Sequence, residues 1–363
     1  MNNKNHIELL KDLISIPSFS RKENKSADRI ENWFNENGIR CNRHKNNIYA
    51  FNKYYKKDKK TLLLNSHHDT VKPNEGYTKD PHNPEISNGK IYGLGSNDAG
   101  GALVTLLNTF KYFYDNKKLK VNLIIAATAE EENSGPNGLK SLLKRIPSID
   151  FAIVGEPTLM KAAVAEKGLV VCDCIIRGKA SHAAHPNSEN PILKIPDIIK
   201  SIEKIRFEKI SKLLGPVKLT ITQINAGIQH NVVPSSVEMV IDVRVNELYR
   251  NEEIVKLIKE NVNAEIYPRS VDLNSSSISN NHPIVKAVNE IGIPVYGSPT
   301  LSDQTKLSCP SIKIGPGDSS RSHTADEFIY IEEIEKGCEI MKKLIKKLLL
   351  WICGGKIKKK MKI

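Results

Sequence analysis

The chain has 363 residues, of which 39% are hydrophobic and 26% are charged, and its formal net charge is +13. This length suits about two domains, the apolar fraction excludes a wholly disordered chain, and glycines and prolines without a period exclude a collagen-like one. Lysines are spread along the chain and concentrate only over 342–363, so we expect no nucleic-acid partner and interpret the basic tail as a solvated end.

The first part of the chain predicts helices that alternate with short apolar strands. An amphipathic helix is expected over 26–39, and a strand follows over 61–65. A second helix over 99–114 precedes two further apolar strands, at 121–127 and 151–154. This alternation predicts an α/β domain that has a mostly parallel sheet with helices on both faces.

Beyond Glu166 the pattern changes to longer alternating strands and separate helices. Strands are expected over 169–176, 218–222 and 237–245, and helices over 191–205 and 251–262. We therefore predict an inserted α+β domain over 166–274, flanked by a domain made of 1–165 and 275–363. The chain closes with a helix that begins at Pro283 and an amphipathic helix over 334–348.

The cysteines and the apolar runs indicate a cytoplasmic location. The six cysteines form no CxxC pair and no disulfide-framework spacing, so we expect reduced thiols. The first residues are polar, so no secretory signal is expected. The apolar run over 348–353 is too short to span a bilayer, so we expect no membrane partner.

Histidines and carboxylates lie where the predicted strands end. They are His67 and Asp69 after the first strand, Asp98 before the second helix, Glu131 and Glu132 after the second strand, Glu156 after the third, and His323 late in the chain. In an open α/β sheet, ligands bind beyond the carboxyl ends of the strands, so these side chains are expected to meet at one edge.

Imidazoles and carboxylates without thiolates are typical ligands for zinc or a similar divalent metal. The His67-x-Asp69 spacing lets the Asp accept the second ring N–H of a ligating His. Adjacent Glu131 and Glu132 can divide metal binding and proton transfer between them. A nucleotide loop at Gly93-x-Gly95 is disfavoured, because the third glycine of that motif is absent.

These motifs resemble the M20 family of co-catalytic zinc peptidases and amidohydrolases over roughly residues 62–330. The resemblance implies two divalent ions, zinc or alternatively cobalt, with Asp98 as the shared ligand. It implies that Asp69 supports a ligand and that Glu131 is the general base. The metal ligands implied are His67, Asp98, Glu132, Glu156 and His323.

The resemblance also gives roles to the inserted domain, which in the family is a lid and dimerisation domain. It implies a homodimer in which His182 reaches the partner's active site and binds the oxyanion. Substrate contacts are implied at Asn231, Arg244, Gly315 and Gly317. From the residues alone, Arg244 is equally well interpreted as part of a structural ion pair.

The expected reaction is hydrolysis of the amide bond of a small N-acyl amino acid. The late motifs resemble the acetylornithine deacetylase branch of the family, which implies N2-acetyl-L-ornithine as substrate and L-ornithine and acetate as products, a step of arginine biosynthesis. Asp303 is a candidate to meet the cationic side chain of that substrate. The alternatives are desuccinylation of N-succinyl-LL-diaminopimelate and, in a different class, a non-catalytic binding protein on the same fold.

Overall fold

The computed structural model describes residues 5–353, which form two compact units. The first unit contains the chain up to Val164, the segment Ile278–Tyr296 and the chain from Ser302 onward. The second unit contains Ala165–Ser277 and Gly297–Leu301. The basic tail over 356–363 lies outside the described residues. None of the described helices is both long and apolar enough to cross a membrane.

The helices and strands are numbered along the chain. The helices are α1 (Asn5–Ile14), α2 (Asn24–Glu36), α3 (Gly101–Phe113), α4 (Leu139–Leu142), α5 (Ile195–Lys204), α6 (Asn251–Asn261), α7 (Pro283–Glu290) and α8 (Ile331–Cys353). The first eight strands are β1 (Cys41–His44), β2 (Asn47–Phe51), β3 (Thr61–His67), β4 (Ile86–Ser87), β5 (Lys90–Tyr92), β6 (Asn122–Thr128), β7 (Phe151–Val154) and β8 (Ala162–Glu166). The remaining strands are β9 (Gly168–Arg177), β10 (Ser181–His182), β11 (Lys218–Ala226), β12 (Val232–Val233), β13 (Ser236–Val245), β14 (Glu265–Pro268), β15 (Ser276–Ser277), β16 (Val295–Ser298), β17 (Ser311–Lys313) and β18 (Phe328–Tyr330).

The first unit is built on a sheet with the strand order β1-β2-β6-β3-β7-β17-β8. Strands β6, β3, β7 and β17 run parallel, and antiparallel strands flank them on both sides. Every residue of β3 and β6 is buried, because helices cover both faces of a parallel sheet. This mixed α/β fold with a mostly parallel central sheet confirms the predicted fold class.

The two faces of the sheet bury different helices. Leu62 and Leu64 of β3 face the larger core, which also contains apolar side chains of α1, α2, α3, α7 and α8. Leu63 faces the opposite way and packs in a smaller core with Leu139 and Leu142 of α4. The alternation along β3 follows the two-residue period of a strand, so one apolar run supplies both cores.

The second unit contains an antiparallel sheet with the order β11-β13-β9-β14. One face of this sheet packs against α5 and α6 through a separate apolar core. Cys172 and Cys174 both lie in that core, since they are two residues apart on β9. Strand β11 is one of the two edge strands of the sheet, and most of its residues are exposed. The role of this unit as a lid and dimerisation domain remains a prediction.

Candidate metal centre

The carboxyl ends of β3, β6 and β7 carry the first predicted site residues into one cluster. His67 is the last residue of β3, and it lies opposite Thr128, the last residue of β6. Glu131 and Glu132 follow β6, and Glu156 follows β7. Parallel pairing of these strands places their ends at the same edge of the sheet, as the sequence predicts.

His67 is fully buried and in contact with three carboxyl-bearing residues. Its Nδ1 donates to the backbone oxygen of Asp69 at 2.9 Å. Its Nε2 lies 3.3 Å from Oδ1 of Asp98 and 3.9 Å from Oε1 of Glu156. Burial lowers the pKa of the imidazole, but hydrogen bonds to Asp69 and Asp98 outweigh burial and raise the pKa well above 6.5.

Asp69 joins the end of β3 to the turn after β6. Its Oδ1 accepts the backbone N–H of Glu131 at 3.0 Å, and its Oδ2 accepts the backbone N–H of Glu132 at 3.2 Å. The hydroxyl of Ser20 donates to the same Oδ2 at 2.7 Å. Burial raises the pKa of Asp69, but the bonds from His67 and Ser20 overcome this and hold the pKa below its ordinary value. Asp69 therefore orients its neighbours as an anion.

Glu131, Glu132 and Glu156 are partly buried and lie close to one another. Burial, together with Glu156, raises the pKa of Glu131 well above its ordinary value. Burial, together with Asp98, raises the pKa of Glu156 to about 8. These shifts reflect the cost of placing several anions in a region from which water is largely excluded. Cations placed among the carboxylates would remove this cost.

His323 meets the same cluster from a distant part of the chain. Its Nε2 lies 3.0 Å from Oε2 of Glu132 and 3.7 Å from Oδ2 of Asp98. The bond to Glu132 raises the pKa of His323 to about 9. Its backbone φ is +60°, a left-handed conformation that is uncommon for a residue other than glycine. The loop around His323 must therefore hold this conformation in place.

Glu327 is a buried carboxylate for which the sequence predicts no role. Its Oε1 accepts the backbone N–H groups of Asn97 at 2.8 Å and Asp98 at 2.9 Å. Its Oε2 accepts the N–H of Gly95 at 3.1 Å, where φ is +77°. Burial raises its pKa to about 8. Glu327 thus fixes the turn that presents the Asp98 carboxylate. In the sequence, the only sign of this role is that Glu327 lies four residues after His323.

The donor set fits divalent cations. Ligand atoms of His67, Glu131 and Glu156 lie within 4.8 Å of one another, and so do those of His67, Asp98 and Glu132. Carboxylates and imidazoles are suitable ligands for zinc and related metals. Glu131, the predicted general base, is part of the first group. The closely spaced, partly buried carboxylates therefore favour the prediction of bound cations.

Gly315 and Gly317 lie in the first unit in tightly packed backbone. A Cβ at position 315 would lie 2.5 Å from the backbone oxygen of Glu156, and one at position 317 would lie 2.5 Å from Oδ1 of Asn97. Gly317 also has a φ of +88°. Both positions need glycine to let the loop approach Glu156, a predicted metal ligand, and Asn97, the neighbour of the predicted ligand Asp98. Their predicted contact with substrate remains a prediction.

The other predicted site residues lie in the second unit. His182 on β10 pairs with Val232 on β12, and the backbone oxygen of Asn231 accepts the N–H of Ala183 at 2.9 Å. His182 and Asn231 therefore lie on one small ribbon, and both are exposed. Arg244 donates to both oxygens of Asp242, at 2.8 and 3.1 Å. This contact agrees with the structural ion pair that the sequence left open, so a substrate contact by Arg244 remains a prediction.

Asp303 does not lie where a substrate side chain could meet it. Only 3% of it is exposed, and its Oδ2 accepts hydrogen bonds from Asn65 at 2.9 Å and Thr128 at 3.0 Å. The expectation that Asp303 meets the cationic group of a substrate is therefore wrong. Instead, Asp303 connects β3 and β6 near their carboxyl ends, beneath the cluster.

The sequence pattern of the peptidase family M20/M25/M40 matches residues 63–347. The chain belongs to this family. A curated relative named succinyl-diaminopimelate desuccinylase, from Wolbachia pipientis subsp. Culex pipiens (strain wPip), is 28% identical over 94% of this chain and 92% of its own length.

Solved structures of the M20 family share the fold. The M20 family metallo-carboxypeptidase Sso-CP2 from Sulfolobus solfataricus superposes with a TM-score of 0.78 and 18% identity, covering 96% of this chain and all of its own. The Bacillus subtilis YXEP protein, described as a dinuclear metal binding peptidase from the M20 family, gives a TM-score of 0.71 and 15% identity over 97% of this chain and 99% of its own. At this identity the superpositions establish the fold, and the family match indicates an enzyme.

Proposed function

We propose that this M20 chain is a metal-dependent hydrolase of the amide bond of a small N-acyl amino acid. The observation that carries the proposal is the cluster of carboxylates and His67 at the carboxyl ends of β3, β6 and β7, which the exposed His323 joins from a later loop. The name of the curated relative supports N-succinyl-LL-diaminopimelate as the substrate better than N2-acetyl-L-ornithine. The desuccinylase alternative therefore replaces the acetylornithine prediction as the first choice.

The proposed metal ligands are the side chains that meet in the cluster: His67, Asp98, Glu132, Glu156 and His323. Asp98 is the proposed shared ligand, since its two oxygens lie near different histidines, Oδ1 near His67 and Oδ2 near His323. Two divalent ions, zinc or cobalt, would lower the pKa of the attacking water and polarise the scissile carbonyl.

Glu131 is the proposed general base. Glu131 is not one of the five proposed metal ligands, and Asp69 fixes its backbone by accepting its N–H at 3.0 Å. The carboxylate accepts a proton from the attacking water and then gives that proton to the amine that leaves. Its surroundings suit both steps, because burial raises its affinity for the proton while nearby cations would lower it.

The second unit is the proposed lid and dimerisation domain. Its edge strand β11 lacks a neighbour on one side among the described residues, and Ile224 and Ile228 near this edge are 45% and 97% exposed. An exposed edge strand with apolar side chains favours pairing with a second chain. In the proposed homodimer, His182 reaches the partner's active site and donates to the oxyanion, and Asn231 lies beside it.

Hydrolysis of a matched substrate pair tests the proposal. Purified full-length protein is loaded with zinc, its metal content is assayed, and N-succinyl-LL-diaminopimelate and N2-acetyl-L-ornithine are compared by kcat/KM. We expect two equivalents of zinc and a clear preference for the succinylated substrate. A preference for acetylornithine would restore the first prediction. Zinc binding without hydrolysis of any N-acyl amino acid would favour a non-catalytic binding protein.

A further inference from the structure

The loop over 318–326 is the part of the first unit that brings His323 to the cluster. It contains a 3-10 turn, Ser319–Arg321, and has left-handed residues at His323 and Asp326. A non-glycine residue in that conformation is unfavourable, so contacts elsewhere must hold the loop in place. Besides the hydrogen bonds that Asp326 accepts from the backbone N–H groups of Thr78 and Lys79 at 2.9 Å, three anchors meet this requirement.

Two of these anchors are hydrogen bonds made by asparagine side chains close to the site. The side chain of Asn97 accepts the N–H of Asp318 at 2.9 Å and donates to its backbone oxygen at 3.0 Å. The amide of Asn74 donates to the backbone oxygen of His323 at 3.1 Å. These bonds fix the backbone at Asp318, before the turn, and at His323, two residues after it.

The third anchor is the guanidinium of Arg321. Its Nη1 donates to Oε2 of Glu333 at 2.8 Å, and its Nη2 donates to Oε1 at 3.1 Å. Its Cζ lies 4.8 Å from the ring centroid of Phe328 and 5.2 Å from that of Tyr330. Glu333 is on α8 and also accepts the backbone N–H of Tyr330 at 3.1 Å. A two-pronged ion pair beside aromatic rings needs arginine, because a lysine ammonium lacks the planar fork.

The anchor acts on the histidine through only two residues of chain. The backbone oxygen of Arg321 also accepts the hydroxyl of Thr324 at 2.8 Å, which closes the loop around His323. Only 17% of the Arg321 side chain and 22% of the Glu333 side chain are exposed, so solvent screens this pair less than an open surface pair. Among the hydrogen bonds and ion pairs of the described residues, none joins Arg321 or Glu333 to the carboxylates of the cluster.

We propose that Arg321 is a positioning residue that holds His323 in the orientation needed to bind metal beside Glu132. The inference depends on the proposed function, since it assumes that His323 is a ligand. It implies that Arg321 affects one of two metal positions and leaves the other, at His67, unchanged.

Zinc binding to the metal-stripped full-length protein tests this inference by equilibrium dialysis. We expect wild-type protein to bind two equivalents. Arg321→Met should keep one equivalent at wild-type affinity and weaken the other by about 10–100-fold, the usual effect of losing a group that orients a ligand. Arg321→Lys should give a smaller loss. The control is Arg29→Met, which removes an arginine that pairs with Asp12 at 2.8 Å elsewhere in the first unit.

A double variant separates positioning from a general effect on the fold. If Arg321 acts only through His323, adding Arg321→Met to His323→Ala should leave zinc affinity as in His323→Ala alone. The inference is overturned if Arg321→Met binds two equivalents normally, weakens both equally, or weakens binding further in the His323→Ala background. If Arg321→Met does not fold, Glu333→Gln takes its place. The same selective loss of zinc affinity at one position is expected, and wild-type affinity for both equivalents would overturn the inference. Failure of wild-type protein to bind zinc would instead contradict the proposed function.

Discussion

The carboxylate of Asp69 accepts the backbone N–H of Glu131 at 3.0 Å and so connects the end of β3 to the turn after β6. The same carboxylate lies beside His67, with 3.5 Å between its Oδ1 and the ring Nδ1. One buried anion therefore orients a proposed ligand and the proposed general base together. Movement of either element would disturb both.

Replacing Glu131 with glutamine should strongly reduce turnover and leave metal binding intact. An amide cannot accept the proton of the attacking water, and general-base catalysis contributes about 10²–10⁴-fold to rate. We therefore expect kcat of Glu131→Gln to fall by roughly this factor while zinc stoichiometry stays at the wild-type value. Steady-state kinetics and zinc analysis on the same samples make the measurement.

The control for this prediction is Glu85→Gln, which changes a glutamate that pairs with Lys79 at 2.8 Å. That variant should keep wild-type kcat. Loss of one zinc equivalent in Glu131→Gln would instead make Glu131 a metal ligand, as its place in the group with His67 and Glu156 allows.

Removal of metal should lower the thermal stability of the protein. Without cations, the pKa values of Glu131 and Glu156 are raised, which shows that their anionic forms are unfavourable in the cluster. A ligand that binds only the folded state at 100 times its dissociation constant contributes about 2.7 kcal/mol. We expect a chelator to lower the melting temperature and added zinc to restore it. Equal melting temperatures with and without chelator would argue against bound metal.

The sequence predicts the strands of the first unit and the cluster at their ends with good accuracy. Strand β7 has the expected bounds at 151–154, and β3 and β6 begin within one residue of expectation. Long apolar runs identify parallel strands well, because burial on both faces removes the alternation. Once the strand ends are known, the polar residues that follow them are close together by topology.

The sequence does not reveal the residues that support the cluster from a distance. Glu327 bonds to backbone N–H groups about 230 positions earlier in the chain, and Arg321 pairs with a glutamate on the next helix. Such side-chain contacts leave no periodic pattern in the sequence. The expectation for Asp303 fails for the same reason, because a charge beside a motif does not tell which way the side chain points.

Truncating Asp303 should cost stability without changing substrate preference. Asp303→Ala removes the acceptor for Asn65 and Thr128, and a buried donor left without an acceptor costs roughly 1–3 kcal/mol. We expect urea denaturation to show a loss of this size, and the kcat/KM ratio for the two proposed substrates to stay constant. The exposed Asp58→Ala should shift stability by less than about 0.5 kcal/mol. A changed ratio in Asp303→Ala would place this residue in substrate recognition after all.

A charge on the edge of the second unit should disrupt the proposed homodimer. Ile224 on β11 is 45% exposed, and lysine on an edge strand opposes pairing with another strand. We expect wild-type protein to elute as a dimer in size-exclusion chromatography with light scattering, and Ile224→Lys to shift toward monomer. Leu350→Lys changes a residue of α8 that is 65% exposed and should leave the dimer intact. A monomeric wild-type protein would contradict the proposal.

Burial of His6 on α1 should make the protein less stable in acid. Burial, together with Lys342 and Lys111, lowers the pKa of His6 from 6.5 to about 4. Between these two pH values the unfolded chain binds more protons than the folded one, so the free energy of unfolding falls as the pH falls through this window. His6→Leu, which fills similar space and has no proton to bind, should lose less stability between pH 7.5 and pH 5 than wild type. Urea midpoints at the two pH values make the comparison, and equal losses in both proteins would contradict a buried neutral histidine.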